Sequence, residues 1–326
     1  RARLSDDLSS PIRGVVHHRT SSLEPTAFTA TIMRDDGTGG DEVAGDNIYT
    51  AVLPAQPEGT TVEFYLEAFD RIQSRTWPAA AHEDGRHEAN LLYQVDSEQP
   101  AGEAPFYRFI LSAEELEEFI KIPFDSPERN TNARFNATFI ANVDGEITTR
   151  YQCALRLRGS GTRSRYPRNL KVELPSSTPW KGRDELNLNV QFSYNQLLGS
   201  MFYRAAGLPA YESRAVAVRL NGVNHASPEN ASVSRPFNHH FGFYVQNEPI
   251  NNRYVREHYP LETGGNLYRM TGNGTGWDYF PESDDLETDY RGSGWDKENN
   301  DSLNDWSDLH SFIAVSYTHL RAHETE

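Results

Sequence analysis

The sequence predicts an α+β fold, an all-β amino-terminal part followed by a mixed part, on three observations. Residues 1–96 carry short runs rich in Val, Ile, Tyr, Phe and Thr, separated by clusters of Gly, Pro and Asp, the pattern of strands joined by turns. Residues 97–105 are polar and hold Pro100 and Pro105, as a linker does. Behind them helical periodicity and strand alternation take turns. The length of 326 residues suggests roughly two domains.

The elements follow in order. Residues 27–33, 48–54, 60–70 and 90–96 read as strands. In the third, apolar positions alternate with polar ones, the period of a half-buried strand. Short strands at this spacing predict a β-sandwich of immunoglobulin or fibronectin type III kind over residues 1–96. Ser112, with Glu115 three residues on, reads as a capping box that opens a helix from Ala113 to Lys121. Residues 133–159 read as two strands joined at Asp144-Gly145, and 169–175 as a third. A helix over 194–207 closes at Gly207 and Pro209. Residues 211–222 and 240–248 form a strand pair around an insertion, and 265–270 one more strand. Residues 281–308, with ten acids against two basic residues, read as a hydrophilic surface connection. Residues 308–315 begin a helix, and the mixed domain is expected over 106–315. The chain opens on Arg1 and is expected to be a fragment. "SYTHLRAHETE" (316–326) resembles translated adapter read-through and is expected to be a non-native tail.

Bulk properties narrow the function. The net charge of −16 argues against general nucleic-acid or membrane-surface binding. No apolar run approaches the roughly 18 residues of a membrane span. The single cysteine, Cys153, excludes an internal disulfide and Cys-based zinc spacing.

One stretch runs against the acidic background. From Ile147 to Val172 there is no Asp or Glu, but Arg150, Arg156, Arg158, Arg163, Arg165, Arg168 and Lys171 are all present. A loop between two strands with small residues, here Gly159, Ser160 and Gly161, can turn backbone N–H groups toward an anion while cations supply charge. The plainer reading is an exposed basic turn paired with acidic segments. Lys171 shares the polar face of its strand with Glu173, and a strand lysine can reach a nucleotide's phosphates or simply face water. Glu248 follows an apolar strand, where it could pair with a lysine, order a ribose or metal, or, more commonly for a strand-end glutamate, face water. The pairs His17-His18 and His239-His240 lack metal-ligand spacing, and the Asp35, Asp36, Asp41 and Asp46 turn lacks EF-hand spacing, so no metal residue is assigned. No Gly-x-Ser-x-Gly elbow and no obvious nucleophile–His pair appears.

Taken together, Arg158-Gly159, Tyr166-Pro167, Lys171, Gly207-Leu208-Pro209, Asn221-Gly222 and Glu248 resemble, in order and spacing, the CotH family of atypical protein kinases related to a spore-coat protein. The resemblance spans about residues 105–315. It implies an incomplete kinase-like second domain, part of a parent protein that transfers the ATP γ-phosphoryl to protein serines with Mg²⁺ or Mn²⁺, the fragment itself being expected to be inactive. It implies a nucleotide-binding wall of Arg158, Gly159, Ser160, Gly161 and Lys171, with Glu248 a structural or nucleotide-side carboxylate. The family's catalytic aspartates are expected beyond residue 315. Its acidic position before the second helix is replaced here by Gln191-Phe192-Ser193. The amino-terminal module resembles those of exported bacterial proteins, which implies an extracellular or cell-surface setting, the spore coat included. The alternative is a non-catalytic surface or matrix scaffold whose basic loop binds an acidic partner or a glycan.

Overall fold

A computed structural model describes residues 1–6, 11–80, 89–99, 102–227, 242–271 and 276–323. Contacts divide the chain into two units, Arg1–Asn247 and Glu248–Glu326. The α+β class holds.

The first unit opens with β1 (Ala2–Arg3), β2 (Arg13–Thr20), β3 (Thr29–Met33), β4 (Ile48–Tyr49), β5 (Thr61–Phe69), β6 (Ser74–Trp77) and β7 (Leu91–Gln94). The order β3-β2-β5-β6, with β7 also on β5, makes a five-stranded sheet, and β1 pairs with β4 alone. The expected strands at 27–33, 60–70 and 90–96 appear as β3, β5 and β7, whereas 48–54 shrinks to the two residues of β4. Sequence reading passed over β2, whose histidines hide its alternation. Along it Gly14, Val16 and His18 are buried and the residues between them are less so. The two histidines therefore separate, as neighbours on a strand must. His17 bonds Glu67 at 2.9 Å and stacks on Tyr65, while His18 bonds Thr31 at 3.1 Å.

Next come β8 (Phe106–Ile110), α1 (Ala113–Lys121), β9 (Phe135–Val143), β10 (Glu146–Leu157), β11 (Leu170–Glu173), β12 (Glu185–Asn189), α2 (Ser193–Ala205), β13 (Ser213–Leu220) and β14 (Tyr244–Asn247). The seven strands close into a barrel in the order β10-β11-β12-β14-β13-β8-β9. Neighbours are antiparallel except β13 and β8, which run parallel. Period-2 alternation supplies the interior: Phe139, Leu155, Val172, Leu186, Leu188 and Val216 are all fully buried. Trp180 joins them, edge-on to Tyr107 and Phe139, with its indole N–H donated to Thr148 at 2.8 Å.

Local signals were accurate here. Asp144 and Gly145 both have positive φ and make the two-residue turn between β9 and β10, the geometry of a type I′ hairpin. Ser112 accepts the Glu115 N–H at 3.2 Å and so caps α1. The reciprocal half of the capping box is absent, because the Glu115 carboxylate instead accepts the Asn136 N–H at 2.7 Å. Gly207 at φ +74° ends α2, with the Leu208 N–H returning to the Tyr203 carbonyl.

The second unit contains α3 (Asn252–His258), β15 (Tyr268–Met270), α4 (Leu286–Gly292), β16 (Trp295–Lys297) and α5 (Ser307–His323). This corrects the reading of 281–308 as a surface connection. That segment supplies a helix, a strand paired with β15 and a core of Tyr290, Trp295 and Trp306, to which α5 adds Leu309 and Ile313. The acids occupy the outside: Asp296 holds Arg269 and Arg291, and Glu287 also holds Arg291. The helix begun at 307 continues to His323. No helix among the described residues is long and apolar enough to cross a membrane.

Candidate functional site

The basic stretch is the β10–β11 hairpin with its connection, residues 158–169. The register sets Leu155 opposite Val172 and Arg156 opposite Lys171. The leucines and valine face the barrel interior, so Arg156 and Lys171 share the outer face. The same row continues through Asn187 on β12, Asn247 on β14 and Ser213 on β13.

The connection is held in shape by its own backbone. Gly159 has φ +93°, and a Cβ there would lie 2.0 Å from the Thr162 hydroxyl oxygen, so only glycine fits. Ser160 is exposed and precedes a single 3₁₀ turn, Gly161–Ser164. Asn169 accepts the N–H groups of Val190 and Gln191 at 2.9 and 3.3 Å. Buried Gln191 donates to the carbonyls of Thr162 and Pro167 at 2.8 and 2.9 Å.

The cations of this stretch are largely engaged by the fold. Arg150 donates to the Thr178 and Pro179 carbonyls. Arg156 and Arg134 both reach Glu173, at 3.0 and 2.6 Å. Burial pushes the Glu173 carboxyl up, but these two guanidiniums outweigh it and hold it below the usual carboxylate range. Arg163, 7% exposed, donates to Thr131 O, Asn132 Oδ1 and Leu157 O. Arg168, also 7% exposed, donates to Ile122 O at 2.5 Å and lies 3.9 Å over the Phe124 ring. Lys171 forms an ion pair with Glu185 of β12. Arg158 donates to Asn189. Asn189 and Asn247 in turn donate to the same Gln196 oxygen of α2, at 2.6 and 2.5 Å.

The structure therefore gathers Arg158, Gly159, Ser160, Gly161 and Lys171 on one hairpin. Glu248 is in the second unit, buried, and accepts from or donates to His258 Nε2 at 3.0 Å according to which of the two holds the proton. The Tyr254 ring lies against that imidazole, centroids 4.3 Å apart and planes tilted by 32°. Sequence reading missed Glu185 and Asn189, because it missed β12, and it placed Gln196 on a helix without marking it as a partner of that strand. The signal was present in "ELNLN", where Glu185, Asn187 and Asn189 alternate with two leucines.

Asp35, Asp41 and Asp46 place carboxylate oxygens within 4.8 Å of one another. Those carboxylates are occupied by the hairpin itself. Asp35 accepts the N–H groups of Gly45, Asp46 and Asn47, Asp41 that of Gly37, and Asp46 that of Ile48. His239 and His240 lie outside the described residues.

Residues 155–325, slightly more than half of the chain, match the family described as CotH kinase protein. The matched range takes in the basic hairpin, Lys171 and Glu248. No match among curated proteins was found.

Proposed function

Because the chain belongs to the CotH kinase protein family, we propose that it is part of an exported atypical protein kinase that uses ATP with Mg²⁺ or Mn²⁺ to phosphorylate protein serines. The observation that carries this reading is the Lys171–Glu185 ion pair on the outer face of the barrel, one strand from a glycine-bearing loop. Protein kinases hold their nucleotide lysine with such a carboxylate. In this reading Glu185 orients the Lys171 ammonium, and Arg158 adds a second cation. The Gly159–Gly161 backbone offers N–H groups where a side chain at Gly159 would collide. That donor set suits the phosphates of a nucleotide. Bound ATP supplies the phosphoryl group, and the divalent ion enters with it. Phosphoryl transfer is mostly positioning and charge neutralisation, and this chain's contribution is the positively charged wall. Glu248, fixed by His258, is assigned a structural carboxylate role. An extracellular or spore-surface site of action, and coat or surface proteins as partners, belong to the same proposal.

A second reading has its own observation. Arg156, Arg158, Arg163, Arg168 and Lys171 all have partners within the protein, as in a rigid scaffold. Amine labelling distinguishes the two. Under the kinase reading MgATP protects Lys171 from acylation while Lys181, which is exposed, stays reactive. Equal labelling of Lys171 with and without nucleotide defeats that reading and leaves the scaffold.

A further inference from the structure

The barrel end at which β11 begins and β13 finishes holds a cavity of about 270 Å³. Leu170, Val218, Leu220 and Tyr244 of the barrel interior line it, with Phe119 and Phe124 from α1 and the segment after it. Besides the Tyr244 hydroxyl, which donates to the Arg168 carbonyl at 3.4 Å, the polar groups of this wall belong to Tyr166, Arg168 and His225. Tyr166 and His225 satisfy each other, hydroxyl to Nδ1 at 2.6 Å. Burial lowers the affinity of that imidazole for a proton, so it is neutral at pH 7 and adds no charge.

Arg168 is different. Its Nη2 is used by the Ile122 and Pro123 carbonyls, at 2.5 and 3.3 Å, but its Nη1 has no hydrogen-bond partner. No carboxylate among the described residues pairs with it. Burial and the repulsion of Arg163, a second cation, push its guanidinium down to about 10, still charged at neutral pH. A buried cation without a counter-charge is costly, and a wall of aromatic and aliphatic side chains beside it has no polar use of its own.

We propose that this cavity binds a small organic carboxylate with an apolar body, of the arylalkanoic or short fatty acid class. The carboxylate neutralises Arg168, and the body rests against Phe119, Leu220 and Tyr244. Carboxylate is the geometry a guanidinium matches best. The cavity lies just under the roughly 300 Å³ at which ligand pockets begin, which suits a single ring or a short chain. A nucleotide fits poorly, since its phosphates need several donors and the cavity offers one cation. The inference is independent of the kinase reading.

The test uses the whole chain and two probes, 3-phenylpropionate and its neutral analogue 3-phenylpropanamide, titrated by calorimetry at neutral pH. The expected result is saturable binding, with the carboxylate about tenfold or more tighter, the factor of a charge-assisted hydrogen bond. Ile120 is at the cavity's exposed side, 57% accessible, so Ile120→Glu adds a negative charge there without touching the core. It is expected to weaken the carboxylate about tenfold and to leave the melting temperature unchanged. Equal affinity for the two probes, no saturable heat for either, or an unaffected Ile120→Glu variant overturns the proposal. So does displacement of the carboxylate by ATP, which would make the cavity part of a nucleotide site.

Discussion

Lys171 and Glu185 form an ion pair between adjacent strands of the barrel, and both side chains are about one-fifth exposed, 21% and 22%. That exposure separates their contributions to stability and to binding. A partly solvated pair adds about 1 kcal/mol or less, so Lys171→Met and Glu185→Gln should each lower the melting temperature by only a few degrees. Affinity for a fluorescent ATP analogue should respond unequally. Lys171→Met removes the cation and is expected to weaken binding about tenfold or more, whereas Glu185→Gln loosens the lysine and costs less. Equilibrium titration of both variants checks the order, and equal affinity in Lys171→Met and the parent would remove Lys171 from the site.

Gly159 tests whether the loop needs its shape. Its φ of +93° is strained for any other residue, and a Cβ would meet the Thr162 hydroxyl at 2.0 Å. Gly159→Ala is expected to cost about 1–3 kcal/mol in denaturant unfolding. Two effects contribute, and Thr162→Ala separates them. The double variant should recover the collision part and leave the backbone part, a coupling visible in a double-mutant cycle.

What the sequence revealed was what neighbours in the chain decide. Ser112 caps its helix and Asp144-Gly145 turns its hairpin through atoms two or three residues away, so both were legible. The strand Glu185–Asn189 was not. Leu186 and Leu188 alternate with Glu185, Asn187 and Asn189, but three poor strand formers in five residues mask that short period, and pairing with β11 and β14 decides it. The acids of 281–308 likewise concealed a helix, because Tyr290, Trp295 and Trp306 are too few to show a period while their burial decides the fold. Charge was legible in the basic hairpin, but its use was not. Arg163 and Arg168 donate to carbonyls 32 and 46 residues away, and no spacing rule reports that.

Glu115 gives the amino-terminal half of the barrel a pH dependence. Burial, with repulsion from Glu118 and Glu63, outweighs the Asn136 N–H and raises its carboxyl to about 7. The unfolded chain releases that proton near 4.5, so between these values the folded protein binds more protons. Stability from this group is complete below pH 4.5 and is lost as pH rises through 7. Each unit of the shift corresponds to about 1.4 kcal/mol. Glu115→Gln keeps an uncharged group at pH 8 and should raise the melting temperature there relative to the parent, with the difference vanishing near pH 4. Parallel melting curves of the two proteins across that range would sink the assignment.

Gln191 opens the stretch Gln191-Phe192-Ser193 where the CotH resemblance puts an acid, and its amide is engaged by the basic loop. Its Nε2 donates to two carbonyls of the basic loop, Thr162 at 2.8 Å and Pro167 at 2.9 Å, and the residue is 1% exposed. Gln191→Ala leaves both carbonyls without that donor and is expected to cost about 1–3 kcal/mol. Gln191→Glu is the sharper test. A carboxylate there has no proton to give and would face two carbonyl oxygens, so the variant should be the less stable of the two at pH 8 and should gain stability as pH falls and the acid protonates. If Gln191→Glu instead matches the parent at pH 8 and improves binding of a divalent ion, the acidic position of the family is recoverable in this chain, and the amide is not what holds the loop.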